Sequence, residues 1–351
     1  MTDSGAAIRL LVDNDTGIDD ALALVYLLSL SHVDIEVLTC TPGNVAVEQV
    51  ARNNLALLEL CKRTGVEVAV GAAAPLEIPL TTTPETHGPQ GIGYAELPAP
   101  EGRVSPHQAV DLWVEAARQH PGELTALLTA PLTNFALALR KEPRLPKLLK
   151  RVVIMGGSYY YQGNTTPTAE WNTHVDPHAA AEVFAAFEGE PEDRLPIVCA
   201  LEMTERIELR PEHVAELGRL AGSAEAELVL PSDPEGQRST AANPLLRCLS
   251  DALRFYFEFH RHYDQGYLAH VHDVFAAAIA AGTVDYRTRP ATVHVETGSG
   301  LLAGTTVADY RGLWGRQPNA RFVSWNDPEA TFREVLGSIG ALARRLDPAG
   351  G

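Results

Sequence analysis

The strongest restriction on this chain is a regular alternation of short apolar runs with longer stretches of helical period. Ile8–Asp13 (IRLLVD) predicts a buried strand, followed by a glycine-containing turn and a helical run from Asp19 to about Leu30. Ile35–Thr41 predicts a second strand, Val45–Thr64 a helix, and the valine-rich Val66–Val70 a third strand. Ser105 and Pro106 suit the N-cap and first position of a helix ending near Gln119. Leu124–Leu128, Leu132–Arg140 and Val152–Met155 repeat strand, helix, strand. Asp176-Pro177 opens a helix to Phe187, and Pro196–Leu201 suits a further strand. Thr292–Glu296, Thr305–Ala308 and Arg321–Ser324 suggest hairpin-linked strands, and a last helix carries Phe332, Val335, Leu336 and Ile339 on one face. Strands alternating with helices make parallel βαβ units with right-handed crossovers. The expected fold class is therefore α/β, with a single open, mostly parallel (mixed), doubly wound sheet.

No sharp shift of composition marks a boundary, so residues 1–351 are expected to form one domain. Two loop-like insertions, 71–103 and 222–238, are linkers or lids. With 28 Lys and Arg against 45 Asp and Glu, the net charge is −17. That balance argues against nucleic acid as a partner, because there is no excess of cations to neutralise phosphates. Cys40, Cys61, Cys199 and Cys248 are far apart and form no zinc spacing. Buried free thiols in a reducing compartment are expected. No apolar stretch is long enough to span a membrane, and the N-terminus lacks a signal-peptide core. The expected location is cytoplasmic, with no membrane partner.

The polar residues cluster after strand ends, where doubly wound sheets bind their ligands. The first such turn, Asp13-Asn14-Asp15-Thr16-Gly17-Ile18-Asp19-Asp20, holds four carboxylates within eight residues. Capping a helix needs one or two of them. Packing all four is unfavourable unless a cation or a proton compensates. A hard divalent ion with oxygen ligands explains the surplus.

This D-x-D-x-G-x-D-D turn resembles the signature of the inosine–uridine-preferring nucleoside hydrolase family, with Thr16 where proline is usual. The resemblance runs from Leu10 to the final helix, with the motifs in family order, and implies a Rossmann-like nucleoside hydrolase fold. By position it implies Asp15 and Asp20 as ligands of Ca²⁺, Asp19 as general base, and Asp13 as a sugar-side or supporting residue. Thr41-Pro42-Gly43-Asn44 and Thr86-His87-Gly88 resemble substrate-contacting elements, through Asn44 and His87. Thr129-Ala130-Pro131-Leu132-Thr133-Asn134 resembles G-P-L-T-N, preceded by the residue whose main-chain oxygen joins the metal, here Thr129. Asn164, Glu170 and Asn172 match an N-x(5)-E-x-N ribose-binding segment. His272-Asp273 resembles the His-Asp pair that closes the site, with Asp273 on the metal and His272, or the neighbouring His270, as acid for the leaving base. Tyr159, Tyr160, Tyr161, Tyr263 and Tyr267 could stack on a base or simply pack.

The activity so implied is Ca²⁺-dependent hydrolysis of the N-glycosidic bond of ribonucleosides to free base and ribose, by a water at the metal activated by Asp19. A homodimer or homotetramer is implied as well. Two other functions fit parts of the sequence. One is a non-catalytic nucleoside-binding protein on the same fold. The other is a Mg²⁺-dependent haloacid dehalogenase-like phosphatase, because Asp13-Asn14-Asp15-Thr16 also resembles its D-x-D-x-T nucleophile motif. That motif wants a later Gly-Asp, which this chain lacks.

Overall fold

The computed structural model describes residues 7–223 and 228–347. Residues 1–6, and 224–227 of the expected 222–238 insertion, lie outside that description. The strands are β1 (Ile8–Asn14), β2 (Val33–Cys40), β3 (Glu67–Val70), β4 (Leu124–Leu128), β5 (Arg151–Met155) and β6 (Ile197–Cys199). They continue with β7 (Glu208–Leu209), β8 (Ala269–His270), β9 (Tyr286–Val295), β10 (Thr306–Asp309) and β11 (Ala320–Asn326). A nine-stranded sheet runs β10-β9-β11-β6-β5-β4-β1-β2-β3, and β7 pairs with β8 in a separate ribbon. From β3 through β6 to β11 the neighbours are parallel, whereas β9 runs antiparallel to both β11 and β10. The expected α/β class, with a mostly parallel mixed sheet and a hairpin-linked C-terminal addition, is what the structure shows.

The alternation of side chains explains why helices cover both faces. Leu10 and Val12 enter one apolar core, and Leu11 between them enters the other. The first core holds the helices Ile18–Ser29 and His272–Ala280, and the second holds Thr133–Lys141 and Pro177–Ala186. Strand order reverses direction between β1 and β4, because the chain builds β2 and β3 on one side and β4 to β6 on the other. This switch point opens a crevice beyond the carboxyl ends of β1 and β4. No helix among the described residues is long and apolar enough to cross a membrane.

Two local expectations need correction. The helix expected from Ser105-Pro106 begins at Ala109, with Gln108 as N-cap. Ser105 is used otherwise: its amide donates to Val68 O at 2.7 Å on the outer edge of β3, and its Oγ accepts from His107 N at 3.1 Å. The strand expected over Pro196–Leu201 ends at Cys199, and Leu201 starts a short helix instead.

Candidate active site

The crevice holds a cavity of about 280 Å³. Its floor is formed by Asp19 of the acidic turn together with Asp273. Gly17 is the N-cap of helix Ile18–Ser29, and Asp20 turns back to accept from Gly17 N at 2.8 Å. One carboxylate thus does the capping. The other acids of the turn are left for another purpose. Thr16 holds a positive φ of 30°, a strained conformation for a β-branched residue, and its hydroxyl is tied to Asn54 Oδ1 at 2.9 Å.

Asp19, Asp20 and Asp273 bring carboxylate oxygens within 4.8 Å of one another, all buried. Asp273 arrives from the first turn of helix His272–Ala280, some 250 residues downstream, with Val271 as N-cap. Asp15 lies beside this trio. Its Oδ2 accepts from Asn44 N at 2.7 Å, while its Oδ1 is buried without a hydrogen-bond partner. Burial raises all four acids above the usual carboxylate range, and repulsion from neighbouring acids adds to it at Asp15, Asp19 and Asp273; Asp19 is pushed up to about 7. An orphaned buried carboxylate oxygen beside a crowd of like charges is what a hard cation would satisfy. The donor set present, all oxygen, fits calcium.

Thr129, just past β4, meets this floor from the side. Its hydroxyl donates to Asp20 Oδ1 at 2.7 Å, and its carbonyl accepts from Asn172 Nδ2 at 3.0 Å, with a second lone pair left over. Glu170 caps helix Trp171–Val175 by accepting from Asn172 N and Thr173 N, and also takes Gly157 N at 2.9 Å. Gly157 has a φ of 80°, and a Cβ there would strike the Tyr159 ring at 2.6 Å, so glycine is required to aim that amide. Glu170, Asn172, Asn44 and Thr129 all line the cavity, and Asn44 Oδ1 is buried without a partner. Asn164 lies exposed at the rim, where its Oδ1 accepts from Trp171 N at 3.0 Å.

His87 lines the opposite side. Its Nδ1 accepts from Ile18 N at 3.0 Å, so the proton sits on Nε2, and burial lowers it to about 3. His272 places Nδ1 2.8 Å from Thr204 Oγ1, and burial, together with His270, His260 and His87, lowers it well below the usual imidazole value.

Asp13 belongs elsewhere, which corrects its expected substrate contact. It is absent from the cavity wall, and its two oxygens accept from Thr39 Oγ1 (2.5 Å), Thr41 Oγ1 (2.8 Å) and Asn134 Nδ2 (2.9 Å). It braces the ends of β1 and β2 from behind. So enclosed, Asp13 cannot be the exposed nucleophile that a phosphatase of the haloacid dehalogenase type requires. Of the five tyrosines, Tyr263 alone lines this cavity. Tyr159 packs on Phe322, Tyr160 on Tyr310 and Tyr267 on Phe257. The sequence did not disclose Tyr256, Phe259 and His260, which face the cavity from helix Pro244–His262, nor Glu205. The three on the helix share its i, i+3, i+4 spacing, a signal that equally describes a core stripe.

An open α/β sheet with a carboxylate-floored cavity at its switch point, lined by amides and a carboxylate suited to sugar hydroxyls, defines a sugar-processing hydrolase class. The family model for inosine-uridine preferring nucleoside hydrolase matches residues 10–333. The chain therefore belongs to the inosine–uridine-preferring nucleoside hydrolase family, and it is a ribonucleoside hydrolase. It is 33% identical to the pyrimidine-specific ribonucleoside hydrolases RihA of Salmonella paratyphi B and Salmonella typhi, over 97% of this chain and 98% of theirs. In structure it is similar to the purine-preferring ribonucleoside hydrolase from Gardnerella vaginalis, with a TM-score of 0.82 and 26% identity over 96% of this chain and 99% of the other. The plant nucleoside hydrolase PpNRh1 shares the fold, with a TM-score of 0.81 at 24% identity over 95% of this chain and 99% of that one.

Proposed function

We propose that the chain cleaves the N-glycosidic bond of ribonucleosides, pyrimidine ribonucleosides first among them, with Ca²⁺ held by Asp15, Asp20, Asp273 and the Thr129 carbonyl. When bound, calcium would neutralise the acidic floor, hold the vicinal hydroxyls of ribose and make nearby water more acidic. Asp19 accepts the proton of the attacking water, because burial leaves its carboxylate more basic than an exposed one. Glu170 keeps lone pairs free beyond its three amide donors and takes a sugar hydroxyl, while Asn172, held by Thr129, sets the angle of the ring. Asn44 Oδ1 accepts a further hydroxyl or water proton. Hydroxyls recognised by buried polar partners discriminate strongly against analogues that lack them. His87 and His272 face the leaving base, and His272 donates to it through its cavity-side nitrogen.

The observation that carries this reading is the convergence of the buried acids Asp19, Asp20 and Asp273 from two distant segments, at a cavity that Asp19 and Asp273 line and whose lining contains no Lys or Arg. A phosphate would find no cationic partner there, so the substrate is a nucleoside rather than a nucleotide. A single domain with loop or lid insertions near 71–103 and 222–238, a homodimer or homotetramer and a cytoplasmic location go with the same reading. Its test is ribose release from uridine, cytidine, inosine and uridine 5′-monophosphate. Release from nucleosides and none from the nucleotide is expected. No release from any nucleoside would overturn it.

A further inference from the structure

Asp15 stands between two residues that a single side chain holds. Asn54, on helix Val47–Leu60, is fully buried. Its Oδ1 accepts from Asn14 Nδ2 at 3.0 Å and from Thr16 Oγ1 at 2.9 Å. Its Nδ2 donates to Asn14 Oδ1 at 2.7 Å and to Cys40 Sγ at 3.4 Å, at the end of β2. Both lone pairs and both N–H groups of this amide are thereby used. Asn14, Thr16 and Asn54 are all absent from the cavity wall, so none of them can touch a substrate there.

The backbone that Asn54 holds is strained. Thr16 has a φ of 30°, in a region that β-branched residues avoid. Released, such a residue relaxes to negative φ, and the rotation about its N–Cα bond turns the peptides on its two sides against each other. The Thr16 carbonyl has no room to take up that change, because it packs on Gly91 so closely that a Cβ there would come within 2.6 Å of it. The peptide joining Asp15 to Thr16 must take it up instead. Asp15 has only one hydrogen bond of its own, from Asn44 N to Oδ2, and its Oδ1 is unpartnered. The place of its carboxylate therefore depends on the backbone that carries it.

We propose that Asn54 is a positioning residue for the cation site: by tying Asn14 and Thr16, it holds the turn in its strained form and keeps the Asp15 carboxylate at the acidic floor. The proposal rests on the calcium reading above and deepens it by naming what fixes the geometry of one ligand. Were Asn54 a core amide and nothing more, its loss would lower stability and leave calcium affinity in place.

The test is calorimetric titration of chelator-stripped protein with calcium, alongside melting temperatures in chelator. Asn54→Ala is expected to weaken calcium binding about fivefold or more. Glycine adopts positive φ without strain, so adding Thr16→Gly to Asn54→Ala is expected to regain about threefold or more of that affinity, although the melting temperature stays low. Thr16→Val keeps the branched carbon and loses the hydroxyl, whereas Thr16→Ser keeps the hydroxyl. The valine variant is expected to bind calcium about threefold or more weakly than the serine variant, and this pair decides the matter if Asn54→Ala does not fold. A smaller effect in any of these comparisons, in folded protein, overturns this inference alone. Wild-type protein that takes up no calcium overturns the calcium reading and this inference with it.

Discussion

Gly43 offers a perturbation aimed at one proposed calcium ligand. Its φ lies outside the left-handed region, so alanine is compatible with the backbone. A Cβ there, however, would stand 2.1 Å from Asp15 Oδ2, with Pro131 Cδ at 3.0 Å blocking the other side. The carboxylate oxygen must retreat by about 1 Å to regain ordinary contact. Doing so breaks its 2.7 Å bond from Asn44 N and swings the free Oδ1 off the acidic floor. A hydrogen bond to a charged group is worth about 1.5–3 kcal/mol, which corresponds to about 10–150-fold in an equilibrium constant. Gly43→Ala is therefore expected to weaken calcium binding about 10–150-fold, measured by calorimetric titration of chelator-stripped protein, with the circular dichroism spectrum unchanged. Wild-type calcium affinity in a folded Gly43→Ala protein would show that Asp15 is no ligand and refute the reasoning.

Three further outcomes follow from the same geometry. At Gly17 a Cβ would meet Asn44 Nδ2 at 2.5 Å and His87 at 2.9 Å, so Gly17→Ala should raise KM while leaving calcium affinity in place. Equal damage to both would mean the two walls are not separable. His272→Ala should slow uridine and inosine by about 10²-fold or more, and activated or charged ribosides much less; equal losses on both kinds would remove its leaving-group role. In chelator, Asp19 at about 7 and its raised neighbours bind more protons folded than unfolded, where the ordinary value is 3.8. The stripped protein should therefore lose stability as pH climbs from about 4 to about 7, and calcium should restore it. Melting temperatures with chelator at pH 5 and pH 8 measure this, and a flat profile would mean the acids are not crowded as described.

The acidic turn was legible because four carboxylates after an apolar strand have no simpler explanation. Asp273 was not legible from spacing, since only the fold carries it across roughly 250 residues, and its recognition rested on the resemblance of His272-Asp273. Asp13 shows the limit of motif reading. It sits in the same octapeptide as Asp15, yet it still belongs to β1, where it meets Thr39, Thr41 and Asn134, whereas Asp15 lies past the end of that strand. The start of helix Ala109–Gln119 was hidden because Ser105-Pro106 has good capping chemistry that tertiary contact with β3 claims instead. The aromatic wall was hidden for a different reason. Tyr256, Phe259 and His260 share a helical spacing with buried Leu249 and Leu253, and a sequence does not say which stripe of such a helix meets a cavity.

The convergence on calcium is tested most directly by activity under metal control. Enzyme stripped with chelator should release no ribose from uridine, bind one calcium ion per chain, and regain turnover in proportion to that binding. Undiminished hydrolysis in excess chelator, or stoichiometric calcium uptake by a protein lacking both Asp20 and Asp273, would contradict it.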